Sequence, residues 1–247
     1  MKCLILAAGY ATRLYPLTEN FPKPLLDING KSIIDWLIDD IEENKLVDEY
    51  IIVSNHKFYN NFMDWREEKK IKDRITILDD SSTTNENRLG AVRDIEYSIN
   101  KLNLKDNLLI VAGDNLLNFS LKGFVEYFKK KNATSIMRYY CDNIDRLKKS
   151  ANIRINEEEK VIEMIEKPEV PISNWCCPAF YVLKSTDLEK VTIALKSGCG
   201  YDAPGSLFCW LAKNGEVYAY DMPGKRYDIG TIETYEEVKK TYNQGVR

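Results

Sequence analysis

At 247 residues the chain is long enough for one large α/β domain, and folding should bury roughly 70–75% of its unfolded surface without a disulfide or metal staple. A net charge of −3 with 30% charged residues gives an ordinary solvated surface, with no basic excess to mark a nucleic-acid partner. No segment approaches the roughly 20 apolar residues of a membrane span; the first apolar run is too short for a signal peptide and is interrupted by Gly9, so a cytoplasmic location is expected.

The elements alternate. Lys2–Ala8 reads as a strand, Ile33–Asn44 as an amphipathic helix and Tyr50–Ser54 as a second strand. Asn60–Lys70 reads as a helix, Ile75–Leu78 as a short strand and Ala91–Asn100 as a helix. Leu108–Ala112 suits a central strand and Leu121–Lys131 a helix. This order predicts an α/β fold, a Rossmann-like, mostly parallel mixed sheet flanked by helices, with ligands beyond the carboxyl ends of its strands. From Thr134 the pattern shifts to shorter strands at Thr134–Tyr140, Asn152–Asn156, Val161–Ile165, Ala179–Leu183 and Val217–Asp221, with a helix at Ser206–Lys213. No Gly/Ser/Pro linker, internal repeat or low-complexity tract intervenes, so residues 1–247 read as one domain: a first half to about 133, and from about 134 a substrate-side half that extends the sheet.

The six cysteines show no C-x-x-C spacing and His56 is the only histidine. Reduced, mainly buried thiols are expected, and neither a zinc site nor a histidine mechanism.

Chemistry is concentrated at the start. The strand Lys2-Cys-Leu-Ile-Leu-Ala-Ala8 runs into Gly9-Tyr-Ala-Thr-Arg-Leu14, and Phe21-Pro-Lys-Pro-Leu-Leu26 follows. A strand ending in a small-residue loop, then Arg13, then Lys23 between two prolines, would bring loop amides and two cations onto one polyphosphate. A dinucleotide fingerprint starting at Gly9 fails, because Ala11 and Leu14 stand where glycines are needed. Gly30-Lys31-Ser32 fails as a Walker A loop, because Leu25 holds the place of its first glycine. Two carboxylates stand at suitable points: Asp114 in Gly113-Asp-Asn115 after the apolar run, and Asp228 in Tyr227-Asp-Ile-Gly-Thr231. Taken singly, each of these short motifs also suits an ordinary turn.

Taken together, the motifs resemble those of the sugar-phosphate nucleotidylyltransferases, whose N-terminal signature reads roughly L-A-x-G-x-G-T-R-L with P-K-P a few residues on. Gly9, Thr12, Arg13, Leu14 and Lys23 match it, and Ala11 replaces the second glycine. The resemblance covers most of the chain. It implies that Leu6, Ala7, Ala8, Gly9, Tyr10, Ala11, Thr12, Arg13, Lys23, Asn87, Leu89, Gly90 and Asp114 meet the nucleotide. It further implies that Asp114 and Asp228 hold Mg²⁺, and that Lys167 of Ile165-Glu-Lys-Pro168 takes the acceptor phosphate while Glu166 touches sugar hydroxyls. Arg13, Lys23, Asp114, Lys167 and Asp228 are thus the expected catalytic set, with Asn115, Trp175 and Ala179 on the acceptor side.

Two regions depart from the pattern. Asn87 stands where the base-reading segment has a glycine, and Asn174-Trp-Cys-Cys-Pro-Ala179 replaces a small-residue strand; Trp175 there suits a stacking platform or a core position equally. The expected reaction is Mg²⁺-dependent coupling of an NTP to a sugar 1-phosphate, giving an NDP-sugar and pyrophosphate. The acceptor could instead be phosphocholine or another non-sugar, and a nucleotide-sugar-binding regulator without turnover is the reading from another class. The chain stops near the expected end of a catalytic domain, with no left-handed β-helix after it, so acetyltransferase activity is not expected. The partners expected are an NTP and a phosphorylated small molecule, with no nucleic acid and no membrane; a homo-oligomer is left open.

Overall fold

The computed structural model describes residues 1–242, so the last five residues of the expected 1–247 domain lie outside the described residues. The chain forms two compact units: the first from residues 1–88, 112–122 and 223 onward, the second from 89–111 and 123–222.

The first unit is built on three parallel strands, Lys2–Leu6, Glu49–Ser54 and Ile75–Asp79, with the second between the other two. These are the apolar runs of the sequence, and Cys3, Leu4, Ile5 and Tyr50–Val53 are buried, as a sheet covered on both faces requires. The connections are the helices Ile33–Glu43 and Tyr59–Glu67. Ser32 caps the first of these by accepting from the Asp35 amide at 3.3 Å, and Ile33, Ile34, Leu37, Ile38 and Ile41 form its buried stripe. A hairpin of Asp27–Ile28 with Lys31–Ser32 precedes that helix. A second antiparallel pair, Asn115–Leu117 with Arg226–Asp228, brings together segments more than a hundred residues apart in sequence.

In the second unit the strand order is Val161–Ile165, Ala151–Ile155, Trp175–Cys177, Thr134–Tyr140, Phe180–Leu183, Leu108–Ala112, antiparallel at every join. Val217–Asp221 adds to Thr134–Tyr140 in parallel. Its helices are Ala91–Lys101, Ile144–Leu147, Leu188–Lys196 and Gly205–Asn214, with Lys122–Lys131 entering from the preceding segment. The expected mixed sheet flanked by helices is present, with the parallel βαβ pattern in the first unit and antiparallel joins dominating the second. Sequence reading missed three helices, Ile144–Leu147, Leu188–Lys196 and Ile232–Thr241. All six cysteines are free, and four of them are buried. Among the described residues no helix is long and apolar enough to cross a membrane.

Candidate active site

A cleft of about 420 Å³ opens in the first unit, lined by the glycine loop, Lys23, Asp114 and Asp228. The loop begins where the first strand stops, and Gly9 is exposed with nothing within 4 Å of the place a Cβ would occupy. Among the described residues no backbone amide from Gly9 to Arg13 donates a hydrogen bond. A run of amides without a protein acceptor beside a cleft is suited to an anion cradle.

Ala11 explains itself in this loop. Its backbone is left-handed, at φ 47 and ψ 41, a conformation glycine adopts freely and alanine does not. The Thr18 hydroxyl donates to the Ala11 carbonyl at 2.8 Å, and the Leu14 amide donates to the same carbonyl at 2.9 Å. The turn is therefore kept although the second glycine of the motif is gone. Ala11→Gly should raise stability by up to about 1 kcal/mol, the strain relieved less the extra freedom of the unfolded chain. Urea unfolding reads this directly; a loss of stability would mean that the Ala11 methyl matters more than its strain.

The two cations differ. Arg13, exposed in the middle of a single 3₁₀ turn, makes no hydrogen bond or ion pair among the described residues, so its guanidinium is free for a ligand. Lys23 is buried, held in a turn by Pro22 and Pro24, and its ammonium donates to Asp114 Oδ2 at 2.7 Å. Asp114 follows a glycine because the chain passes close to its neighbours: a Cβ on Gly113 would lie 3.1 Å from Ile5 and 3.4 Å from Pro24. Withdrawal from water works against an ionised Asp114. The Lys23 charge and hydrogen bond, with Arg226 beyond them, outweigh this and hold the carboxyl below the usual carboxylate range.

Asp228 reaches the cleft through strand register, which sets it opposite Asn115, the residue after Asp114. Its side chain is 65% exposed, and its nearest cation is Arg226 at 3.8 Å. Arg226 also donates to the Asn115 side-chain oxygen at 3.0 Å, and Asn115 donates to the Ala112 carbonyl at 3.0 Å. One apolar cluster underlies all three site segments. Leu14 beside Arg13, Leu116 beyond Asp114 and Ile229 beside Asp228 are buried together with Ile28, Ile33 and Tyr235. The helix Ile232–Thr241 locks this corner, with Thr231 and Thr234 forming a reciprocal cap and Tyr235 donating to the Asp27 carbonyl at 2.8 Å.

Of the expected first-unit residues, Leu6, Ala7, Gly9, Ala11, Thr12, Arg13, Lys23, Asp114 and Asp228 line this cleft together. Ala8 and Tyr10 are buried beneath the loop, Ala8 accepting from Asn55 at 3.0 Å and Tyr10 packing near Phe58. Asn115 is buried and engaged as described. Asn87 does not show the positive φ that a missing glycine would suggest. Its side-chain oxygen instead accepts from the Thr83 and Thr84 amides at 3.0 and 2.9 Å, stapling its own loop. Sequence reading missed Asn85, Ile229, Gly230 and Arg226. The Lys225-Arg226 pair two residues before Asp228 was the available signal for Arg226.

The remaining candidates belong to the second unit. Gly90 has φ 90, and a Cβ there would lie 2.7 Å from the Tyr201 carbonyl, so glycine is required on both counts; Leu89 precedes it, half-buried. The strand Val161–Ile165 delivers Glu166 and Lys167; Lys167 is exposed, at φ 47, with its amide donating to the Ser150 carbonyl at 3.2 Å. Trp175 is half-buried, with the Arg138 guanidinium 4.0 Å over its ring and Tyr140 edge-on at 5.8 Å. Ala179 is half-buried before the strand Phe180–Leu183.

A family model described as nucleotidyl transferase matches residues 2–245. The chain is 28% identical to a glucose-1-phosphate adenylyltransferase of Fervidobacterium nodosum, over 95% of its own length and 59% of that protein's. It is 24% identical to a UTP–glucose-1-phosphate uridylyltransferase of Haloferax volcanii, over 97% of its own length and 96% of that protein's. Among solved structures it is similar to a UDP-glucose pyrophosphorylase complexed with UDP-glucose, at a TM-score of 0.82 and 23% identity, covering 98% of this chain and 97% of the other. That likeness shows the fold. The chain spans about half the length of several curated relatives it matches.

Proposed function

Because the chain belongs to the nucleotidyl transferase family, we propose that it joins an NTP to a sugar 1-phosphate, giving an NDP-sugar and pyrophosphate in the cytoplasm. One observation carries this reading: an unpaired amide loop, a free Arg13, the Lys23–Asp114 pair and Asp228 share one cleft. The sugar acceptor is supported by relatives named for glucose 1-phosphate.

In the reaction an oxygen of the acceptor phosphate forms a bond to the α-phosphorus. The bond from that phosphorus to the α,β-bridging oxygen breaks, and its electron pair leaves with pyrophosphate. The protein's work is positioning and charge neutralisation. The loop amides and Arg13 hold the triphosphate. Lys23, presented into the cleft by Asp114, transfers its ammonium to phosphate oxygens as they arrive. The donor set fits Mg²⁺: Asp114 and Asp228 supply hard oxygens, no thiol or imidazole lines the cleft, and this ion takes one or two carboxylates with phosphates completing its shell. When bound, it would neutralise charge on the phosphates. Lys167 takes the acceptor phosphate as a point charge on an adaptable stem, and Glu166 accepts from acceptor hydroxyls.

The test is pyrophosphate release with Mg²⁺ across the common NTPs and dNTPs, against a panel of sugar 1-phosphates plus phosphocholine. Release that needs one nucleotide and one sugar phosphate is expected. Release with phosphocholine alone would move the acceptor outside the sugars, and silence with nucleotide binding intact would leave a non-catalytic binder.

A further inference from the structure

Helix Gly205–Asn214 packs along the strand Val161–Ile165, so its first residue meets the end of that strand. There Glu166 Oε2 lies 1.9 Å from the place a Cβ on residue 205 would occupy, Glu166 Cδ lies 3.1 Å from it and the Ala151 methyl 3.3 Å. Gly205 is buried and has no positive φ, so its backbone would suit any residue. Space alone calls for glycine, and the space is filled by a carboxylate. Among the described residues that carboxylate accepts no hydrogen bond. Burial pushes the Glu166 carboxyl above its usual range, and the Lys167 charge opposes this only in part. Its surroundings, Cys177, Tyr181 and Cys209, are buried or half-buried and offer it no cation. The helix N-terminus beside it favours negative charge. A half-buried carboxylate left without donors is poised for hydroxyls brought by a ligand.

We propose that Gly205 is the positioning residue of the acceptor site, and that its missing side chain is what lets Glu166 hold its carboxylate over the start of helix Gly205–Asn214, ready to accept from hydroxyls of a polyhydroxylated acceptor. This rests on the acceptor role proposed above for Glu166. The severe overlap of a methyl at 205 is with the far end of the flexible Glu166 side chain, and the Ala151 methyl at 3.3 Å need give by only a few tenths of an ångström, so the chain still folds and Glu166 swings away.

The experiment pairs a crystal structure of Gly205→Ala with a kinetic cycle over Gly205→Ala, Glu166→Ala and the double variant. Expected are a displaced Glu166 carboxylate and a rise in acceptor KM on the order of 10- to 100-fold, the loss of a charge-assisted hydrogen bond. The NTP KM should be unchanged, and Gly205→Ala should add nothing in the Glu166→Ala background. A carboxylate that stays in place, or an equal further loss in the double variant, would overturn the proposal. A displaced carboxylate with acceptor KM unmoved in every variant would uphold the packing and overturn the acceptor role of Glu166. Should Gly205→Ala fold poorly, Gly205→Ala with Glu166→Asp shortens the acid and restores room; recovered folding there supports the same steric link, and none overturns it.

Discussion

Asp114→Asn is expected to lower turnover on the order of 10²- to 10³-fold, the scale seen when one electrostatic group is removed from a preorganised site. The same change should cost about 1–2 kcal/mol of stability, because the buried Lys23 ammonium exchanges a charged partner at 2.7 Å for a neutral one. The figure is kept low because the Asp114 side chain is 42% exposed and water screens the pair. The pH dependence follows from the depressed carboxyl. A group whose folded value lies below its unfolded value of about 3.9 contributes fully above that pH, and loses its contribution as pH falls through the folded value. The stability gap between wild type and Asp114→Asn should therefore be full at neutral pH and narrow in strong acid. Urea unfolding at several pH values measures the gap and steady-state pyrophosphate release measures turnover. A gap independent of pH would sink the electrostatic account, and near-normal turnover would remove Asp114 from the candidate metal site.

Asp228→Asn should match that loss of turnover and leave stability within about 0.5 kcal/mol, as for an exposed side chain with no close partner. Its carboxylate is 65% exposed and 3.8 Å from the nearest guanidinium, so little in the folded chain depends on its charge. The two aspartates should thus be separable: Asp114 would serve structure and the proposed chemistry, Asp228 the proposed chemistry alone. A stability loss for Asp228→Asn equal to that of Asp114→Asn would show that the second carboxylate is also a structural anchor.

The difference between them marks what the sequence made legible. The glycine loop, Lys23 and both aspartates stand in short motifs at strand ends or tight turns, where residue type and position carry the signal. The parallel strands of the first unit were equally plain, being apolar runs bounded by polar turns. The pairing that delivers Asp228 was not. Arg226–Asp228 and Asn115–Leu117 are strands of three residues, too short for any periodicity, and their partnership is set by distant packing of Ile229 and Leu116. Helix Leu188–Lys196 carries Val191, Thr192 and Ile193 in succession, β-branched residues whose local preference opposes a helix and which tertiary packing overrides. Ala11 and Asn87 both looked like weaknesses of the motif. Ala11 keeps the glycine's conformation under tension, whereas Asn87 does a different job, stapling a loop by its side chain.

The chain enters the first unit three times, and the last visit begins at residue 223. During synthesis Arg13, Lys23 and Asp114 are all made more than a hundred residues before Asp228 and the helix that locks it. A partly made chain can already gather the groups proposed to bind phosphate but holds only one of the two carboxylates. Nascent chains and fragments that stop before residue 223 should therefore sequester nucleotide at most and consume none, so that competence arrives in a single step once Asp228 and the helix Ile232–Thr241 have joined the unit.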